Sequence, residues 1–270
     1  GGYMAATFRA GAQAKLNAVY LHEEQSGVSR FDRLLGGDGR HRNEFDPQRL
    51  DFGYLRYERA QTGVFDQFTA SVSVNRQQDD RLEQHRPTSR IEHQKERVLA
   101  LGYQAQGSRL FGSRHVVTVG GEIYDEYIAG TRTFEEPTTG VLQAARPRIP
   151  DGTRYTSSGV FAQTASELIP GRFKLRAGLR YGYFLFRTKQ DPTFAIERKR
   201  VPTKAVTFNT GGVVNLTEAI NATFTVSRGF RAANAFDLGA IGLSGGGFEL
   251  SPESAASFGA IIGNTDGSDA

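Results

Sequence analysis

Arg172-Phe173-Lys174-Leu175-Arg176-Ala177-Gly178-Leu179-Arg180-Tyr181-Gly182-Tyr183-Phe184-Leu185-Phe186 is the stretch that decides the fold class. Its odd positions are Phe173, Leu175, Ala177, Leu179, Tyr181, Tyr183 and Leu185. Its even positions begin Arg172, Lys174, Arg176, Gly178, Arg180 and Gly182. On a helix the cations would scatter around the cylinder. On a strand they share one face, because successive side chains point to opposite sides. The stretch therefore reads as a strand with one oily face and one cationic face. A strand of a soluble β-sandwich binding module would show the same pattern, so its neighbours must discriminate.

The same two-residue period recurs along the chain. Phe68, Ala70, Val72 and Val74 alternate with Thr69, Ser71, Ser73 and Asn75. Leu99, Leu101, Tyr103 and Ala105 oppose Ala100, Gly102, Gln104 and Gln106, and Ala222, Phe224 and Val226 oppose Thr223, Thr225 and Ser227. Ten strands are expected, at 3–9, 14–24, 49–60, 67–77, 94–106, 113–128, 154–166, 172–190, 205–215 and 220–228. The links between them alternate in length. Short ones fall at 10–13, 61–66, 107–112, 167–171 and 216–219, and long ones at 25–48, 78–93, 129–153, 191–204 and from 229 onward. A sandwich has no reason to sort its loops in this way. A membrane barrel does, with tight periplasmic turns and long extracellular loops. The expected fold is an all-β, antiparallel transmembrane β-barrel segment, about ten strands of a larger barrel.

Composition agrees. Hydrophobic residues make up 38% of 270, and no run approaches the ~20 apolar residues of a membrane helix. A barrel needs no such run, since lipid-facing residues alternate with polar ones. Lys+Arg number 33 and Asp+Glu 29, too balanced for a nucleic-acid stripe. There is no cysteine, which excludes a disulfide framework and Cys-ligated metal. The chain opens in a strand-like Gly1-Gly2-Tyr3-Met4 and closes on the polar Asn264–Ala270, so it is expected to be an internal piece of its parent.

One stretch narrows the class. Ser227-Arg228-Gly229-Phe230-Arg231-Ala232-Ala233 resembles the S-x-G-F-R-A-P box of TonB-dependent receptors, with Ala233 where the family usually has proline. Gly242 to Leu250, Gly159 to Gln163 and Leu175 to Tyr181 are similar to further stretches of that family. The resemblance implies a barrel of about twenty-two strands, blocked by a plug. The plug and the C-terminal strands would lie outside these 270 residues. It also implies the outer membrane of a Gram-negative bacterium, contact with the TonB complex through the plug, and active import of an iron chelate such as a ferric siderophore. A passive porin or structural barrel is the alternative, and a haem receptor of the same family is another. The box has been linked to haem uptake, but no histidine follows His115 to ligate haem iron.

Candidate ligand-binding residues lie after the box: Phe230, Arg231, Asn234, Phe236, Asp237 and Phe248. Aromatics with one or two charges suit a planar, anionic chelate. The competing reading is an anchor, with Phe236 and Leu238 on the barrel wall and Arg231 paired to Asp237. Arg172, Lys174, Arg176 and Arg180 would be costly against lipid, so they are expected to face the lumen, toward carboxylates of the plug or an anionic ligand. His85 and His93 share one expected loop but have no further ligand at metal-site spacing. No Ser/His/Asp set sits at a nucleophile elbow, so neither an enzyme nor a resident cofactor is expected.

Overall fold

The computed structural model describes residues 1–34, 39–239 and 256–259. The alternating stretches form one antiparallel sheet of twelve strands. Ten follow one another as a meander: β1 (Gly2–Ala10), β2 (Ala14–Gln25), β4 (Arg42–Ala60), β5 (Gln67–Gln84), β6 (Ile91–Phe111), β7 (His115–Glu135), β9 (Thr153–Ile169), β10 (Phe173–Arg187), β11 (Arg200–Asn215) and β12 (Asn221–Arg228). These are the ten strands expected from sequence. The two additions are short. β3 (Val28–Ser29) pairs with β4 and β8 (Leu142–Ala145) with β7, both inside long links. Helix is limited to α1 (Phe31–Leu34), α2 (Ala235–Gly239), a 3-10 turn at Pro192–Phe194 and residues 256–257 among the described residues.

Directly opposite residues in a ladder share a face. One row runs Phe8, Leu16, Tyr57, Ala70, Ala105, Gly121, Val160, Tyr181 and Val206 across nine strands. The row one residue away runs Thr7, Asn17, Arg56, Ser71, Gln104, Glu122 and Gly159. The whole sheet is therefore amphipathic in a single sense. Its apolar side chains stay open, with Phe8 67%, Val160 60% and Leu179 57% exposed. A soluble fold would bury such a band, whereas lipid covers it.

On the polar face, one cation is held by a contact that spans two strands. The Arg180 guanidinium crosses over Gly159 and reaches Glu122 Oε1 at 2.5 Å, two strands away. A Cβ at Gly159 would sit 2.6 Å from Arg180 Nη2, so a side chain there would push the guanidinium aside from its present path. The buried apolar cluster lies elsewhere, at the outer rim of the same face. Ile128, Ile149, Tyr155, Phe186 and Ala235 form it, with Val98, Phe184, Val201 and Leu238 packed around them.

Several boundaries differ from the sequence expectation. The ladders run outward beyond the apolar belt: β4 begins at Arg42 rather than 49, β5 ends at Gln84 rather than 77, and β7 ends at Glu135 rather than 128. There both faces meet water, so the hydrophobic alternation stops while the hydrogen bonds continue. The expected loop 78–93 thereby contracts to six residues, 85–90. At this hairpin the outward asymmetry is carried by strands rather than by loop. Arg172 lies in the turn before β10, not on the strand, and its carbonyl accepts from Asn215 N at 2.8 Å.

The two faces should respond differently to charge. Leu179→Arg places a cation against lipid and is expected to cost about 2–4 kcal/mol near the midplane. Gln163→Arg, on the polar face beside Gly178, is expected to cost little. Equilibrium unfolding from lipid vesicles measures both; equal costs would refute the assignment of faces, and a larger cost for Gln163→Arg would reverse it.

Candidate functional site

Phe230 to Leu238 leaves the end of β12 and folds back over the outer rim of the polar face. Its local geometry follows from three side chains. Asp237 N donates to Asn234 Oδ1 at 2.7 Å, and Asn234 N donates to Asp237 Oδ2 at 3.0 Å. This reciprocal pair is a capping box that starts α2. Arg231 Nη2 donates to the same Asp237 oxygen at 2.8 Å. Ala235 and Leu238 join the buried cluster, and Tyr155 Oη donates to Ala233 O at 3.0 Å. Phe230 lies 6.1 Å, centroid to centroid, from Phe184. Phe236 is half exposed and lies under the Arg148 guanidinium at 5.0 Å.

Arg231, Asn234 and Asp237 thus spend their polar groups on one another. The anchor on the wall is Ala235 and Leu238, with Phe236 turned toward Arg148 instead. Phe248 lies outside the described residues. Of the expected lumen cations, Arg180 is tied to Glu122 within the sheet. Lys174 and Arg176 share its face, and with Arg172 in the turn they carry no ion pair among the described residues. His85 Nε2 lies 3.4 Å from Glu83 and His93 Nε2 bonds Glu135 at 2.8 Å, so the two histidines do not converge. No group of three metal-ligating side chains occurs among the described residues.

A different constellation stands out at the outer rim. Arg30, Arg33, Arg40, Arg81, Arg132 and Arg148 line a cavity of about 220 Å³ with Glu83, His85, Glu92 and Gln94. Arg40 pairs with Glu83, Arg132 Nε donates to Glu92 at 2.6 Å, and Asp32 takes Arg30 at 2.7 Å. Arg81 lies over the Phe45 ring at 4.9 Å, and its Nε is buried without a hydrogen-bond partner. Six guanidiniums thus face two glutamates across the cavity. Burial works against the Glu92 carboxylate, yet hydrogen bonds from Arg132 and Gln94 hold its pKa below the ordinary value. Asp79 and Glu96 sit opposite each other beside this cavity. Burial pushes both carboxyls above the ordinary range, against the pull of Arg81 on both and of Arg148 on Glu96. Guanidinium groups converging on one space have the donor geometry to hold carboxylate or phosphate oxygens bidentately.

The cavity escaped the sequence reading because its residues come from six separate segments. The signal was present in Asp79, Arg81, Glu83 and in Glu92, Gln94, Glu96, charged or polar at every second position. That is the period of a strand with a charged face.

A family profile described as TonB dependent receptor-like, beta-barrel, matches residues 4–266. This chain belongs to that family. Solved structures share its fold. They include the copper transporter OprC, at 11% identity and TM-score 0.65, covering 87% of this chain and 37% of that one. The ferric citrate transporter FecA, unliganded, has 16% identity and TM-score 0.62, covering 83% and 35%. The siderophore receptor PiuA of Acinetobacter baumannii has 17% identity and TM-score 0.54, covering 80% and 40%. This chain therefore spans well under half the length of these proteins. No curated protein sequence matches it.

Two outcomes are expected of the receptor barrel. Asp237→Ala removes both the cap and the partner of Arg231, and should destabilise the segment 230–238 by about 1 kcal/mol, read as faster hydrogen exchange confined to that segment. Anion binding at the arginine cavity should strengthen as pH falls from neutral. Protonation of Asp79 and Glu96, whose pKa values are raised, removes negative charge beside Arg81 and Arg148. Titration with sulfate, which does not change charge in that range, measures this. Asp79→Asn with Glu96→Gln should weaken the dependence and raise binding at neutral pH toward its low-pH strength.

Proposed function

We propose that this chain forms part of the wall of an outer-membrane active importer, energised through TonB by way of a plug domain, whose ligand is an anionic metal chelate of siderophore type. The observation that carries this reading is the arginine cavity. It opens on the polar face beyond the apolar belt, at the end of the sheet that carries the long links, where a ligand arriving from outside would be met. Arg81 and Arg148 are backed by phenylalanine rings, which hold the planar guanidiniums in place for an anion. The names of the structural neighbours support the reading, since a copper transporter, a ferric citrate transporter and a siderophore receptor all handle metals or their chelates. Arg172, Lys174 and Arg176, near the tight-turn end of the polar face, would meet carboxylates of the plug.

In this reading Arg81 and Arg148 bind ligand, while Arg231 and Asp237 shape the loop that stands beside it. In the full-length receptor, Arg81→Gln with Arg148→Gln should weaken binding of ferric citrate about tenfold or more, the worth of one or two hydrogen bonds to a charged group. Binding of a neutral ferric hydroxamate should change much less. Uptake should also stop when TonB is deleted. Unchanged affinity for ferric citrate in a variant that still assembles would sink the proposed ligand class, and TonB-independent uptake would sink active import.

A further inference from the structure

The outward, apolar face of the sheet carries a feature that lipid contact alone does not explain. Arg154, Arg187 and Arg200 stand directly opposite one another on β9, β10 and β11. They share the face of Leu185, Tyr183 and Tyr181, since they alternate with these along the strands. Like charges in direct register repel, and this row spans two interstrand steps, about 10 Å. Asp125 accepts from Arg154 Nε at 2.9 Å, and Arg187 Nη2 reaches only Thr156 Oγ1, at 3.3 Å. Arg187 Nε is buried without a hydrogen-bond partner. Arg200 and, four residues further along β11, Lys204 have no side-chain partner among the described residues. The row thus keeps an excess of positive charge that the sheet does not neutralise.

The same boundary is treated differently elsewhere on this face. On β2 and β4, Arg49 pairs with Glu24 at 2.8 Å and His22 with Asp51 at 2.8 Å, so the charges there are balanced locally. Below the arginine row the strands present open apolar side chains in register: Tyr181 beside Val160 and Val206, then Leu179 beside Phe208. A ligand that satisfies both parts has several acyl chains to lie on this surface and a multiply charged anionic headgroup at its top.

We propose that Arg154, Arg187, Arg200 and Lys204 form a docking site for the phosphate-bearing headgroup of a multi-chain anionic lipid in the outer leaflet. The proposal rests on the outward face lying in lipid and the long links lying outside. Guanidinium and phosphate match bidentately, and the headgroup supplies the counter-charge that the row lacks. Because the row joins three strands, a bound headgroup would also tie their outer ends together.

The test uses the purified full-length receptor in detergent micelles, titrated with diphosphoryl hexa-acyl lipid A, with the same lipid dephosphorylated, and with inorganic phosphate. Lipid retention is read by native mass spectrometry. The diphosphoryl lipid should be retained at least about tenfold more tightly than the dephosphorylated one. Arg187→Gln with Arg200→Gln should erase that preference. Arg59→Gln, an outward arginine at the tight-turn end of β4, should leave it intact. Equal retention of the two lipids by the unaltered receptor overturns the proposal without need of any variant. Inorganic phosphate competing as well as the diphosphoryl lipid would replace it with a free-anion site. A receptor that stays soluble without detergent and does not insert into vesicles would instead refute the lipid-facing reading beneath it.

Discussion

Every backbone N–H and C=O inside a bilayer must find its partner within the protein, because lipid offers none. The architecture of this chain follows from that constraint. A meander of adjacent antiparallel strands meets it with hydrogen bonds between sequence neighbours, which is why the strand order along the ten-strand path is the order of the chain. The side chains are then free to sort by face. Apolar residues outward and polar residues inward cost nothing in backbone pairing, and the period of two does the sorting without any helix. A conventional core is not required, and the buried cluster of Ile128, Ile149, Tyr155, Phe186 and Ala235 is small and peripheral. It forms where water, not lipid, surrounds the rim and the hydrophobic effect acts again.

The same division explains what was legible in the sequence. Within the belt, one face must be apolar, so Phe173 to Leu185 announces itself as a strand. Beyond the belt the ladder persists while both faces turn polar. Gln78 to Gln84 then resembles a loop although it is hydrogen-bonded strand. The Arg231–Asp237 pair follows from opposite charges near each other, whereas the Asn234–Asp237 cap does not stand out among the polar residues of that stretch. The partner of Arg148, in contrast, is Phe236, 88 residues away by their numbering, and no local pattern carries that information. The arginine cavity is illegible for the same reason. Six short segments contribute to it, and only the register of β4 to β7 brings them together.

Charge is used in three distinct ways. Arg180 and Glu122 are joined across an intervening strand, with glycine in the gap. The cavity at the outer rim concentrates guanidiniums in excess of carboxylates, and raises the pKa of the nearby Asp79 and Glu96 by burial. The outward row sets arginines against one another in register. The first satisfies itself, while the other two leave cationic potential directed at something outside the sheet. That contrast, rather than the count of arginines, is what the two proposed binding sites rest on.

Ile149, Arg148 and Ala235 have a consequence for motion. Ile149 and Arg148 belong to the link between β7 and β9, while Ala235 and Phe236 belong to the segment after β12. The two meet through one apolar cluster and one cation–ring contact. Segments that share a small core open and close as a cooperative unit rather than independently. Arg148 also lines the arginine cavity, so the cavity and the segment after β12 share one side chain. Two loops far apart in the chain are thereby fastened together at the rim.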